Sequence, residues 1–208
     1  TKLEHSDVVF EWVDHPDQGY CDLILVTRDH PGLFAEIAGG LSAFNLNILS
    51  AQLNTRGDGL VCDVFQVGSL AGTYRLHHED YPRVERLLKK VITGQTNIED
   101  YVKAHAKPSL KAPPIHGGFP PRIRIDNTVS SFATVIEVQA ENRLGLGYQI
   151  ARTLSSAKLN IVFAKLSTEK SHAFDVFYVC DKRENKVVEA QRLKQLEEQL
   201  REDILKLT

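Results

Sequence analysis

Val26 to Val67 reads VTRDHPGLFAEIAGGLSAFNLNILSAQLNTRGDGLVCDVFQV, and Gln139 to Val179 reads QAENRLGLGYQIARTLSSAKLNIVFAKLSTEKSHAFDVFYV. The two stretches are copies of one pattern. Gly32, Ile37, Ala38, Leu41, Asn47, Ile48, Ala51, Leu53 and Thr55 recur as Gly145, Ile150, Ala151, Leu154, Asn160, Ile161, Ala164, Leu166 and Thr168, each 113 residues further on. Asp63-Val-Phe65 recurs as Asp175-Val-Phe177 after a one-residue slip in a turn. A period this long describes a duplicated domain, because solenoid units are far shorter.

Working outward, each copy has the same local grammar. An apolar strand (Cys21 to Thr27, or Ala133 to Gln139) runs into a glycine-containing turn. A helix comes next, with apolar residues three and four apart: Leu33, Phe34, Ile37, Ala38 and Leu41 in one copy, Leu146, Ile150, Ala151 and Leu154 in the other. Two strands succeed it. In the first copy Asn47 to Thr55 and Leu60 to Val67 are joined by Arg56-Gly57-Asp58-Gly59, a hairpin signal. In the second, Ile161 to Thr168 and Ala173 to Cys180 flank Glu169 to His172. Pro82 suits the first turn of a further helix that bears Val84, Leu87, Leu88, Val91 and Ile92 and stops at Gly94. The last helix carries Val188, Leu193, Leu196, Leu200, Ile204 and Leu207. Val8 to Val13 and Pro121 to Asp126 alternate as strands entering each copy. The expected class is α+β: two ferredoxin-like (βαββαβ) domains, antiparallel sheets with helices on one face. The division reads 1–107 for the first domain with its N-terminal strand, 108–120 for a Pro- and Gly-rich linker, and 121–208 for the second domain.

Composition narrows the function. Of 208 residues 42% are apolar and 25% charged, with net charge −2, so no global field draws in nucleic acid or an anionic membrane. No apolar run reaches membrane-spanning length, and no signal peptide opens the chain. Cys21, Cys62 and Cys180 lie in apolar runs without a C-x-x-C pair, and read as buried thiols of a reducing, cytoplasmic compartment. The chain opens on Thr1 and holds no Met, which reads as a piece of a longer polypeptide.

Asp29-His-Pro-Gly-Leu33 followed by Asn47-Ile48 and Ala51, and Asn142-Arg-Leu-Gly-Leu146 followed by Asn160-Ile161 and Ala164, resemble the ACT family of small-molecule-binding domains. Together with Pro121 to Asn127, Thr134 to Val138 and Phe174 to Val179, they are similar to the paired ACT regions of the family of bifunctional PII uridylyltransferase/uridylyl-removing enzymes. The resemblance implies a regulatory role in nitrogen sensing. The effector is a free amino acid, glutamine. The partners are catalytic domains of the same polypeptide and, through them, PII protein. A homodimer is a further expectation. No catalysis is expected from this chain: Gly68-Ser69 is followed by Leu70-Ala71 rather than a carboxylate pair, no His precedes an Asp, and there is no P-loop or G-x-S-x-G. Neither a cofactor nor a metal is expected.

The expected ligand residues are Asp29, His30, Pro31, Gly32, Leu33, Asn47, Asn142, Arg143, Gly145, Leu146 and Asn160. A helix N-terminus offers unpaired N–H groups to the ligand's carboxylate, and Gly32 and Gly145 keep a Cβ out of the way. Pro31 pre-sets the first turn. Asp29 or Asn142 accepts from the ammonium, and Asn47 or Asn160 binds polar atoms with both ends of its amide. His30 is placed to modulate binding with pH, with an exposed loop histidine as the plainer reading. The family resemblance implies that the turn of one copy meets the strand asparagine of the other: Asp29, Gly32 and Asn160 in one site, Asn142, Gly145 and Asn47 in the second. The pairing is either within one chain or between two. The plainer alternative is that Asp29 and Asn142 cap helices. The differences Asp29/Asn142, Pro31/Leu144 and Phe34/Gly147 point to unequal sites. A rival function is a ligand-free dimerisation or docking module. RNA binding is disfavoured, since Leu60 to Val67 holds no Lys or Arg. His77-His78 reads as a solvated turn, and Gly39-Gly40 as close packing of the helix on the sheet.

Overall fold

The computed structural model describes residues 7–68, 76–105, 119–169 and 171–207. The first half forms β1 (Val8–His15), β2 (Tyr20–Arg28), α1 (Leu33–Ser42), β3 (Asn47–Gln52), β4 (Leu60–Gly68), α2 (Tyr81–Ile92) and α3 (Ile98–His105). The second half forms β5 (Arg122–Asp126), β6 (Thr134–Glu141), α4 (Leu146–Ser156), β7 (Asn160–Lys165), the short β8 (Thr168–Glu169), β9 (His172–Cys180) and α5 (Ala190–Leu205). The fold is α+β. One antiparallel sheet runs in the order β1-β2-β4-β3, the other β5-β6-β9-β7 with β8 beside β9.

Alternation decides which face of each sheet is covered. Cys21, Leu23 and Leu25 of β2 and Val61, Phe65 and Val67 of β4 are buried, as are Ile37 and Leu41 of α1 and Val84 and Leu88 of α2. In the second half Val138 and Phe177 meet Ile150, Leu154 and Leu200 in the same continuous core. Both halves carry a register shift at the same place in the repeat, between Ile48 and Ser50 in β3 and between Ile161 and Phe163 in β7.

The four-stranded plan expected for each half is present, with one difference of chain order. The entering strands expected at Val8 to Val13 and Pro121 to Asp126 are the fourth strands: β1 pairs with β2 from Val8↔Thr27 to His15↔Tyr20, and β5 pairs with β6. The last strand of the βαββαβ order, after the second helix, is not found among the described residues. A hairpin closing a few residues orders less chain than a return from beyond the second helix. The chain beyond α2 is helical: Asn97 Oδ1 accepts from the N–H of Glu99 at 2.8 Å, capping α3. The linker expected at 108–120 lies outside the described residues apart from Phe119 and Pro120.

Three smaller expectations are corrected. Cys62 is exposed, because its position on β4 alternates with the inward Val61 and Asp63. Val188 lies before α5 and is 69% exposed. Gly39 and Gly40 pack on helices rather than on the sheet. A Cβ on Gly40 would fall 2.5 Å from Leu88 Cδ2, and one on Gly39 would fall 2.5 Å from Ile98 Cγ1 and 2.9 Å from the Tyr148 ring.

Tyr148 belongs to α4, so that contact crosses between the halves. Helices α1 and α4 lie against each other, and β3 runs beside β7. Phe34 of α1 packs its ring 6.0 Å from Phe65 of its own half and 6.1 Å, edge-on, from Phe177 of the other. The halves therefore pair within one chain.

Candidate functional site

The site begins at the bend between β2 and α1. Gly32 is the residue before the helix and has φ +95°, a left-handed conformation that L side chains rarely adopt. Gly145 repeats this before α4, with φ +84°. Neither helix has a side-chain cap, so Asp29 and Asn142 are not capping residues. The Leu33 N–H is taken by the His30 carbonyl at 3.2 Å. The next two amides, of Phe34 and Ala35, have no partner within the helix and both residues line a crevice. They are donors ready for an anion, with the helix dipole behind them.

The crevice lies between the halves. Asp29, His30, Gly32 and Leu33 form one lip; Ala151 and Ser155 of α4, with Leu159, Asn160 and Ile161, form the other. Thr55, Val61 and Asp63 floor it. It encloses about 410 Å³, counting space open to solvent, but its free volume for a water-sized sphere is about 20 Å³. That is room for a single water. A Cβ on Gly32 would sit 3.3 Å from Ser155 Oγ, a measure of how closely the lips approach.

Electrostatically the crevice is acidic. Asp29 stands at the rim; its N–H donates to the Gly59 carbonyl at 2.8 Å. Partial desolvation holds its carboxyl above the ordinary range, against opposing hydrogen bonds from the His30 N–H and the Thr55 hydroxyl. His30 pairs with Glu36 at 2.8 Å, and that hydrogen bond, more than any other influence, raises the imidazole. Asp63 is 4% exposed. Burial pushes it up to about 6; the Asn54 N–H opposes this and the charge of Asp29 adds to it. Its repeat partner Asp175 is equally buried and is pushed up to about 7 by burial, with the Ser167 N–H opposing.

The second constellation is closed. Asn47, 6% exposed, donates from Nδ2 to Oδ1 of Asn142 at 3.1 Å. Arg143 is held by Glu141 at 2.7 Å, and Leu146 is buried. Space is open around Gly145, with nothing within 4 Å of an added Cβ.

The structure thus brings Asp29, His30, Gly32, Leu33 and Asn160 together, and separately joins Asn142 to Asn47. Pro31 is exposed and lies outside the crevice lining. Sequence reasoning does not reach Thr55, Asp63 and Ser155. A signal for Asp63 exists nonetheless: a carboxylate among otherwise apolar inward positions of its strand, repeated as Asp175.

Residues 22–93 match the family model for the ACT domain, and residues 122–207 match the model for the ACR9-like, ACT-like domain. The chain is a tandem pair of ACT-type domains. It is similar to curated proteins named bifunctional uridylyltransferase/uridylyl-removing enzyme. Identity is 36% over 197 residues with the protein of Gluconobacter oxydans, covering 94% of this chain and 20% of that one. It is 33% over 193 residues with that of Rhodospirillum rubrum (93% and 20%), and 36% over 181 residues with that of Azospirillum brasilense (86% and 19%). The chain therefore spans about a fifth of the length of the relatives it matches. Its part in such proteins is regulatory. Among the described residues no helix is long and apolar enough to cross a membrane.

Proposed function

We propose that the chain senses a free α-amino acid, glutamine, and relays its level to catalytic domains of the uridylyltransferase/uridylyl-removing kind, whose action on PII protein it would control in the cytoplasm. The observation that carries this reading is the approach of Asn160 from one domain to the uncapped, glycine-opened turn of the other. The ligand's carboxylate meets the Phe34 and Ala35 amides. Its ammonium meets the Asp29 carboxylate, with the Asn160 carbonyl oxygen as second acceptor. No nucleophile or metal is required for this work.

The narrowness of the crevice supports a sensing role. An amino acid occupies far more than the present free volume of about 20 Å³, so it binds an arrangement in which α1 and α4 have moved apart. Only such a difference in affinity between two arrangements shifts their populations. A coupling of about 1–3 kcal/mol is typical.

Thermal melting of the 208-residue chain against a panel of free amino acids tests the reading. Glutamine raises the melting temperature, and Gly32→Ala, which strains the left-handed turn and crowds Ser155, abolishes the rise. A flat response to every amino acid would leave the rival reading, a docking module without a ligand. The closed Asn47–Asn142 pair is the feature that favours that rival.

A further inference from the structure

The floor of the crevice holds a group that amino-acid capture at the rim does not use. On β4 the inward positions are Val61, Asp63, Phe65 and Val67, so a carboxylate stands in a row of buried apolar side chains. Its Oδ1 accepts from the Asn54 N–H at 3.0 Å. Its second oxygen receives no hydrogen bond among the described residues, although Asp63 is 4% exposed and lines the crevice. That oxygen is not sealed in the core: it is not among the buried unpartnered polar atoms of the described residues, so it opens on the crevice, where a bound donor can reach it. No Lys or Arg lines the crevice, and His30 is engaged by Glu36.

We propose that Asp63 selects the ligand's side chain, admitting one that ends in an N–H donor and excluding one that ends in a carboxylate. The inference rests on the capture of an amino acid at the Asp29–Gly32 turn. With the α-carboxylate at the first turn of α1 and the ammonium at Asp29, the side chain is directed toward the floor. A terminal carboxamide donates there to the free oxygen of Asp63. A terminal carboxylate of the same shape meets the like charge of Asp63, with no Lys or Arg lining the crevice to offset it. Glutamine and glutamate differ in this respect alone, so Asp63 provides the discrimination that a report on amide nitrogen requires. A hydrogen bond to a charged group accounts for roughly 10- to 100-fold in affinity.

The test is calorimetry of the chain with L-glutamine, L-glutamate and L-methionine, the last a neutral side chain without an N–H. Asp63→Asn is the informative variant: one oxygen still accepts from Asn54, while an NH2 replaces the oxygen that faces the crevice. The expected wild-type result is glutamine at least tenfold tighter than both others, with the glutamine-to-glutamate ratio falling at least tenfold in D63N. Asp63→Ser carries the same expectation where D63N fails a circular-dichroism check of folding. Glutamine binding with an unchanged ratio in a folded variant would overturn the role of Asp63 and leave the rim site standing. Wild-type protein that binds none of the three overturns both.

Discussion

Asn47 donates to Asn142 at 3.1 Å, while the equivalent residues of the other crevice, Asn160 and Asp29, line an open gap without a bond between them. The repeat has thus produced one constellation whose polar groups satisfy each other and one whose groups are left for something else. In the closed pair Asn142 is the acceptor, a role the Asp29 carboxylate could also fill, so the unmade bond across the other crevice leaves both an amide donor and a carboxylate acceptor for a bound molecule.

Stoichiometry should therefore reflect the asymmetry. Titration of glutamine into the chain is expected to give about one strong site per chain, with any second site at least tenfold weaker because the Asn47–Asn142 bond must first open. Two sites of equal affinity would refute the inequality.

Phe34 links the two cores through Phe65 and Phe177. Phe34→Ala should lower the unfolding free energy by about 3–5 kcal/mol. Urea denaturation should also change from one transition toward two, because the ring is shared between the halves. A single, unshifted transition would show that the domain boundary does not depend on it.

Gly39 is a tight point of the inter-domain packing. Helix propensity alone would make Gly39→Ala stabilising by about 1 kcal/mol. The added methyl falls 2.5 Å from Ile98 and 2.9 Å from Tyr148, side chains from two different helices, so overpacking wins. The expected net loss is about 1–2 kcal/mol, read from chemical denaturation. A gain in stability would mean that α3 and α4 yield freely.

Asp63 and Asp175 make stability depend on pH with a definite sign. Both carboxyls rise from the ordinary 3.8, to about 6 and about 7, because burial penalises the charged form. The folded chain holds these protons more tightly than the unfolded chain does. The stability they contribute is complete below the ordinary carboxylate range and is lost as pH rises through about 6 for Asp63 and about 7 for Asp175. Each is worth on the order of 3 kcal/mol. Melting temperature should rise as pH falls from 8 to 5. Asp63→Asn and Asp175→Asn should each raise it at pH 8 and flatten the profile. A melting temperature that falls steadily from pH 8 to 5 in the wild type would contradict both assignments.

Much of the fold is legible in the sequence because the chain states it twice. The 113-residue repeat locates the sheets, the helices and both glycine bends, while the resemblance to the ACT family supplies the pairing of each bend with the other copy's asparagine. Less legible is whatever depends on distant chain. The alternation at Val8 to Val13 marks an entering strand, but that it pairs beside β2 is settled by a hairpin closing in space, and Gly39 and Gly40 need their neighbours in space to reveal what they admit. Asp63 is visible as a repeated letter, yet only burial against α1 and the crevice shows that one of its oxygens lacks a donor.

The early position of β1 has a mechanical meaning. Its first residue, Val8, is registered with Thr27, whose hydroxyl also holds the Asp7 carbonyl at 2.8 Å; two residues past Thr27 stands Asp29. In the second domain Arg122 is likewise tied to Gln139, three residues short of Asn142. Each domain is thus entered at the end that carries its glycine bend, so a pull on β1 or β5 reaches that bend through one rung of the ladder, with no helix to absorb it on the way.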